Sequence, residues 1–146
     1  MGNRSYLDIK AIGIGVLVDI AGSLITALIF AIVYSIILSQ QGHSTTEIES
    51  MMTGSSFVYL VSLILGLGCT VLGGFVCARI AKREEVKHSA IMGVGGLVLS
   101  LLSTGDPEPV WYLIIGVILT VPMAVVGGYI AYTKNKAIKV NIEIIH

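Results

Sequence analysis

Charge is scarce in this chain of 146 residues: Asp, Glu, Lys and Arg make up 12% of it, against 55% hydrophobic residues. Soluble domains carry about twice that share of charge, so a water-soluble fold of this size has too little polar surface to cover its apolar content. The composition calls for the bilayer as solvent. The net charge is zero, which argues against a nucleic-acid surface. Cysteine is limited to Cys69 and Cys77, eight residues apart on one expected helix. That spacing is a rise of roughly 12 Å, too far for a disulfide. Neither a redox framework nor a zinc framework follows, and no cofactor is expected.

Basic residues are missing from two polar connectors, residues 39–56 and 103–109, which hold Glu47, Glu49, Asp106 and Glu108. All nine Lys and Arg lie elsewhere: Arg4 and Lys10, then Arg79, Lys82, Arg83 and Lys87, then Lys134, Lys136 and Lys139. This is a positive-inside pattern. It predicts four membrane spans at about 11–38, 57–78, 89–103 and 110–133, a single membrane domain over 1–146, and both termini cytoplasmic with a tail at 134–146. The first apolar run is too long for a cleavable signal and is expected to be retained as span 1. The spans lack alternating polarity, and backbone groups in hydrocarbon need partners within their own segment, so the expected fold class is all-α, a four-helix transmembrane bundle. Tyr59, Trp111 and Tyr112 fall at one set of membrane boundaries and Tyr129 and Tyr132 at the other, as interfacial anchoring requires.

The spans are unequal. Span 1 would reach roughly 42 Å and span 3 roughly 22 Å, against a hydrocarbon core of about 30 Å. Tilt absorbs the first difference; snorkelling of Lys87 and an interfacial His88 absorb the second. Ser44 and Glu47 form a capping-box signature for a short helix in the first connector. Pro122 sits in the middle of span 4 and cannot donate to the carbonyl of Ile118, which predicts a kink. The tail segment IKVNIEI alternates in a strand-like way, the pattern of a partner-binding edge or a weakly ordered end.

Small residues recur at packing intervals. Gly73 with Cys77, Gly74 with Ala78, Ala124 with Gly128 and Gly127 with Ala131 are small-xxx-small pairs near the basic ends of spans 2 and 4, which are therefore expected to pack closely. Span 1 carries Ala11, Gly15, Asp19, Ser23, Ala27, Ala31 and Ser35 at every fourth position. Such a stripe drifts about 40° per step, so no single straight partner can touch it all. Span 1 is accordingly expected to be the central or oligomer-forming helix, with a second copy or another membrane protein as partner besides the lipid bilayer. The Gly-Gly ends of spans 2 and 4, and a fainter match of residues 14–20 with 94–100, suggest two helical hairpins repeated in parallel, with chance pairing of glycines as the competing account.

Asp19 is the acid placed well inside a span, and an intramembrane carboxylate needs a partner or a function. The partner the sequence offers is Arg79, the most deeply set basic residue; both break the proposed repeat, in which Leu99 and Thr133 answer them. Three readings follow: an ion pair stapling spans 1 and 2, a proton- or cation-binding carboxylate in a transport path, or a lone, partly hydrated acid. His43, His88 and His146 lack the neighbours of a metal or acid–base site, and no Ser, Cys or Thr stands at useful spacing from a base, so no catalytic or metal-ligating residue is expected. The cluster at 79–87 could attract anionic lipid at about 1 kcal/mol per charge, beyond its ordinary role in orientation.

The segment GGFVCARIAKREEVKHSAIMGV, the Asp-x-x-Gly-Ser of span 1 (Asp19, Gly22, Ser23) and WYLIIGVILTVPMAVVGGYIA in span 4 resemble small bacterial four-span integral membrane proteins of unassigned function. The resemblance covers nearly the whole chain. It implies a multi-pass protein of the bacterial inner membrane and carries over no catalytic residue. One acid in span 1 is also similar to small multidrug transporters, whose acid couples protons to export, but that acid is a Glu there and their Trp- and Tyr-rich face is missing here. The leading expectation is a non-enzymatic scaffold or subunit assembling through small-residue helix faces; the alternative is a proton-coupled small-molecule transporter using Asp19.

Overall fold

The computed structural model describes residues 7–103 and 108–145, with side chains for 7–102 and 108–136. Arg4, Asp106 and His146, three residues of the sequence argument, lie outside the described residues. Five helices follow in chain order: α1 (Ile9–Gln40), α2 (Thr45–Gly54), α3 (Ser56–Ala81), α4 (Glu85–Ser103) and α5 (Val110–Ile145). No strand occurs among the described residues. All except α2 are long and apolar enough to cross a membrane, so the all-helical architecture with four candidate spans is present.

The helix ends explain themselves locally. Asp8 caps α1, its Oδ1 accepting the N–H of Ala11 at 3.2 Å. In α2 the Glu47 carboxylate accepts from the backbone N–H of Ser44 at 2.8 Å and from its hydroxyl at 3.0 Å. Those donors, the backbone N–H first, hold the Glu47 carboxyl below its usual range. Between α3 and α4 the chain turns in three residues, with Lys82 and Glu84 both at positive φ, 53° and 45°. Non-glycine residues pay roughly 1–2 kcal/mol each for that conformation, so this short turn is held by the packing on either side of it.

Two expectations about length and shape change. The third long helix begins four residues before the apolar run of span 3: α4 has 19 residues, about 28 Å, with Glu85 and Lys87 in its first turn. The tail is helical rather than strand-like, because α5 runs unbroken to Ile145. Extending an existing helix needs no new nucleus, and the tail holds neither Gly nor Pro to stop it, so propagation overrides the two-residue alternation. Pro122 lies inside that continuous helix, and the expected kink does not break it.

The central helix is α3, which packs against α1, α4 and α5. Of the two roles expected for span 1, the central one falls to α3 instead: α1 packs against α3 and α4 and lies to one side of the bundle. Its small-residue stripe drifts off the contact as its geometry requires. Ala11 and Gly15 are buried, Asp19, Ser23 and Ala31 are half-buried, and Ala27 is exposed.

Contact is tightest in the half of the bundle that holds Arg79, Lys82, Arg83 and Lys87, called here the basic end. A Cβ on Gly74 would overlap the carbonyl oxygen of Ala124, and one on Gly127 would overlap the carbonyl oxygen of Val71. The backbones of α3 and α5 therefore touch. On the other side of α3, a Cβ on Gly15 would come 2.7 Å from Cys77 Cβ and 3.1 Å from Met92 Cγ, while one on Gly73 would come 2.7 Å from the carbonyl oxygen of Gly15. Met92 of α4 is fully buried in this node with Ala11, Cys77 and Ala124. Gly128 makes room for the Ser89 hydroxyl, which donates to the Gly74 carbonyl at 2.9 Å. Replacement of Gly74 or Gly127 by Ala is expected to destabilise the purified protein by at least about 1–3 kcal/mol through overpacking. Gly68→Ala, at a position with open space around it, should change stability by no more than about 1 kcal/mol in either direction. Unfolding in mixed micelles reads both, and equal effects at Gly74 and Gly68 would contradict the packing described.

Candidate functional site

Asp19 faces α3 and α4 one helical turn beyond the tightly packed node. Thr70 Oγ1 donates to Asp19 Oδ1 at 3.2 Å and lies 3.1 Å from the carbonyl oxygen of Gly66. Thr70 is 6% exposed, and a Cβ on Gly96 of α4 would come 3.4 Å from Asp19 Oδ2. The carboxylate thus sits in a notch made by a hydroxyl and by the absence of side chains at Gly73 and Gly96.

Arg79 is not its partner. Among the described residues the ion pairs are His43 with Glu47 at 3.7 Å and Lys87 with Glu84 at 3.2 Å. The Arg79 guanidinium lies over the ring of Phe75 at 5.9 Å, and Lys134 Nζ approaches the same ring at 5.5 Å. The reason is axial distance. Thr70 marks the level of Asp19 on α3, and nine residues separate Thr70 from Arg79, roughly 13.5 Å along the helix. Arg79 is exposed at the basic end and finds an aromatic face there, where a cation gains about 0.5–1 kcal/mol without losing water. The stapling ion pair expected from the sequence is therefore not formed, and the acid is held by a neutral donor.

His88 was expected at an interface, and it is instead 2% exposed. Its Nε2 accepts the backbone N–H of Asp8 at 3.0 Å and its Nδ1 lies 3.1 Å from the carbonyl oxygen of Glu84. With Nε2 accepting, Nδ1 carries the proton and donates to Glu84. The ring thereby ties the start of α1 to the start of α4. Next to it the fully buried Ser89 joins α4 to α3, and Asn135 Nδ2 donates to Glu85 Oε1 at 3.0 Å, joining α5 to α4. The sequence carried a signal for this network, since His88 and Ser89 stand four residues after Glu84 and Glu85 and can reach back to their carbonyls. What it did not show was that α1 would supply the second partner.

At the opposite end of the bundle the four long helices stand apart. A cavity of about 330 Å³ opens between them, bounded by Ser23 and Thr26 of α1, Ser62 and Gly66 of α3, Ser100 of α4, Glu108 just before α5, and Tyr112 of α5. Its floor is at Gly66, the residue whose carbonyl lies beside the Thr70 hydroxyl. Its one aromatic lining residue, Tyr112, belongs to a ring cluster, with Tyr59 at 5.4 Å and Trp111 at 6.1 Å between centroids. The cysteines are free and buried, and Cys69 Sγ lies 3.6 Å from the Thr26 hydroxyl.

No protein family, no curated protein and no solved structure matches this chain. The chemistry of the residues carries the functional reading alone. A double-mutant cycle of Asp19→Ala with Thr70→Val is expected to give a coupling of about 1 kcal/mol in unfolding experiments. The same cycle with Arg79→Ala should give a coupling near zero, and a clear Asp19–Arg79 coupling would overturn the placement of the acid.

Proposed function

We propose that this chain is a non-catalytic, multi-pass protein of the bacterial cytoplasmic membrane, with both ends in the cytoplasm, that acts as a scaffold or subunit through small-residue helix faces. The carrying observation is the division of labour between α3 and α1. Helix α3 uses Gly73 and Gly74 to bind its neighbours within the chain. The apolar window of α1 is only 6% buried, the least of the four spans, and of its small residues Ala27 is exposed at the edge of the cavity and Ala31 is half-buried. A weakly buried helix that carries small residues beyond its contact with α3 is suited to a second helix, because close backbone approach is what drives association in hydrocarbon. A second copy of the chain, or another membrane protein, is the partner this reading requires. Orientation follows from the basic residues, which cluster at the ends of α3, α4 and α5 that the positive-inside rule assigns to the cytoplasm.

Ala27→Leu with Ala31→Leu is expected to shift the protein to a smaller assembly in nanodiscs, as read by mass photometry, without lowering its unfolding midpoint. An unchanged assembly size removes a second copy as the partner that this face binds.

A second reading is favoured by one observation, the pairing of Asp19 with a hydroxyl rather than with a base. A carboxylate without a counter-charge is free to exchange a proton, the requirement for a proton-coupled transporter. On this reading Asp19→Asn abolishes proton-linked flux in reconstituted vesicles while the assembly size stays that of the parent. A proton flux equal in parent and variant removes it.

A further inference from the structure

The cavity between α1, α3, α4 and α5 contains an unusual set of hydroxyls. Thr26 and Thr120 return theirs to their own helices, at 2.8 Å from the Gly22 carbonyl and 2.6 Å from the Gly116 carbonyl. Ser23 and Ser62 line the same space, and neither hydroxyl has a hydrogen-bond partner among the described residues. A serine in a membrane helix ordinarily bonds to the carbonyl of the preceding turn, because hydrocarbon offers nothing else. No buried polar side-chain atom among the described residues lacks a partner, so these hydroxyls remain open to the cavity. The space is open to water or to a polar ligand, and its volume corresponds to roughly ten waters at ~30 Å³ each.

Charge then decides what else can enter. Among the described lining residues Glu108 alone is charged, and it is acidic. The next ionisable group beyond the floor is Asp19, reached through Gly66 and Thr70. Neither carboxylate has a basic partner within 4 Å among the described residues. In a low-dielectric site an uncompensated negative field repels anions and attracts a cation. The remaining walls are largely leucine and valine, with the ring of Tyr112 at the rim. A strongly hydrated metal ion gains nothing from such walls. A cation with a small apolar body gains from the leucines, from Glu108 and from the aromatic face.

We propose that this cavity is a hydrated binding site for a small organic ammonium ion, with Glu108 as its counter-charge and the free hydroxyls of α1 and α3 as its hydrogen-bond acceptors. The site goes beyond the scaffold reading and does not depend on it, because a single copy of the chain contains every group named. It also does not require transport, since occupancy is an equilibrium property.

The experiment uses the full chain in nanodiscs and follows the fluorescence of Trp111, the one tryptophan of the sequence. The probes are n-butylammonium, n-butanol and n-butyrate, which share an apolar body and differ in charge. A saturable change is expected with butylammonium, with butanol binding at least about tenfold more weakly and butyrate giving no saturable change. Glu108→Gln should weaken butylammonium binding by at least about tenfold. Ser62→Leu, which fills the cavity from α3, should abolish saturation while leaving the helical circular dichroism unchanged. Equal responses to butylammonium and butanol in the parent protein overturn the proposal, whatever the variants do. An undiminished response in Glu108→Gln overturns it as well.

Discussion

The rest of this structure depends on the contact between the backbones of α3 and α5 at Gly74 and Gly127. Lipid tails are as apolar as leucine, so two helices in hydrocarbon gain little by burying apolar surface against each other. What they gain is dispersion and short polar contact, and both fall off steeply with distance. Glycine on both sides lets main chain meet main chain, with each missing Cβ replaced by a carbonyl group of the neighbour. Helix α4 is then drawn into the same place. Its Gly93 leaves room for Ala124, and its Ser89 hydroxyl reaches the Gly74 carbonyl across the gap that Gly128 leaves open. Three helices are thereby fixed at one level, and Gly15 brings in the fourth.

Closure at one end determines openness at the other. The approaches closer than 3.0 Å all lie in the basic half, at Gly15, Gly73, Gly74, Gly93, Gly127 and Gly128. In the opposite half Gly66 and Gly116 have at most ordinary contact around them, and leucines and Tyr112 stand between the helices. Helices that touch at one end and carry large side chains at the other must diverge, and the cavity is the space they leave. Asp19 occupies the boundary between the two regimes. It is one turn past the node at Gly15 and Gly73 and one turn short of Ser23, which faces the cavity. A carboxylate at that level is near enough to packed backbone to be held by Thr70 and near enough to polar space to influence what enters it.

Much of the frame was legible in the residues. The four apolar runs, interrupted by a single acid at Asp19, and the Ser44–Glu47 cap predict helices in the right order, because helix formation in hydrocarbon is dictated by backbone hydrogen bonding within each segment. The pairs Gly74–Ala78 and Ala124–Gly128 pointed to the ends of spans 2 and 4, where α3 and α5 do meet. The site was less legible. Arg79 seemed the natural partner of Asp19 because both are charges near the same membrane face, yet partner choice depends on axial level and on which way α3 is turned. Those quantities follow from how α1 and α3 cross. His88 was misjudged for a related reason: its second hydrogen bond comes from Asp8, eighty positions away in the sequence.

By itself the sequence determined that this chain is a set of apolar helices with basic residues gathered at one set of ends, because composition and period act within single segments and need no neighbour. Only the tertiary structure decided which helix is central, that Asp19 meets Thr70 instead of Arg79, and that the acidic half of the bundle leaves an open cavity between its helices. Each of those depends on the rotation and crossing of whole helices, set by a few glycines whose missing side chains matter only once another backbone lies against them.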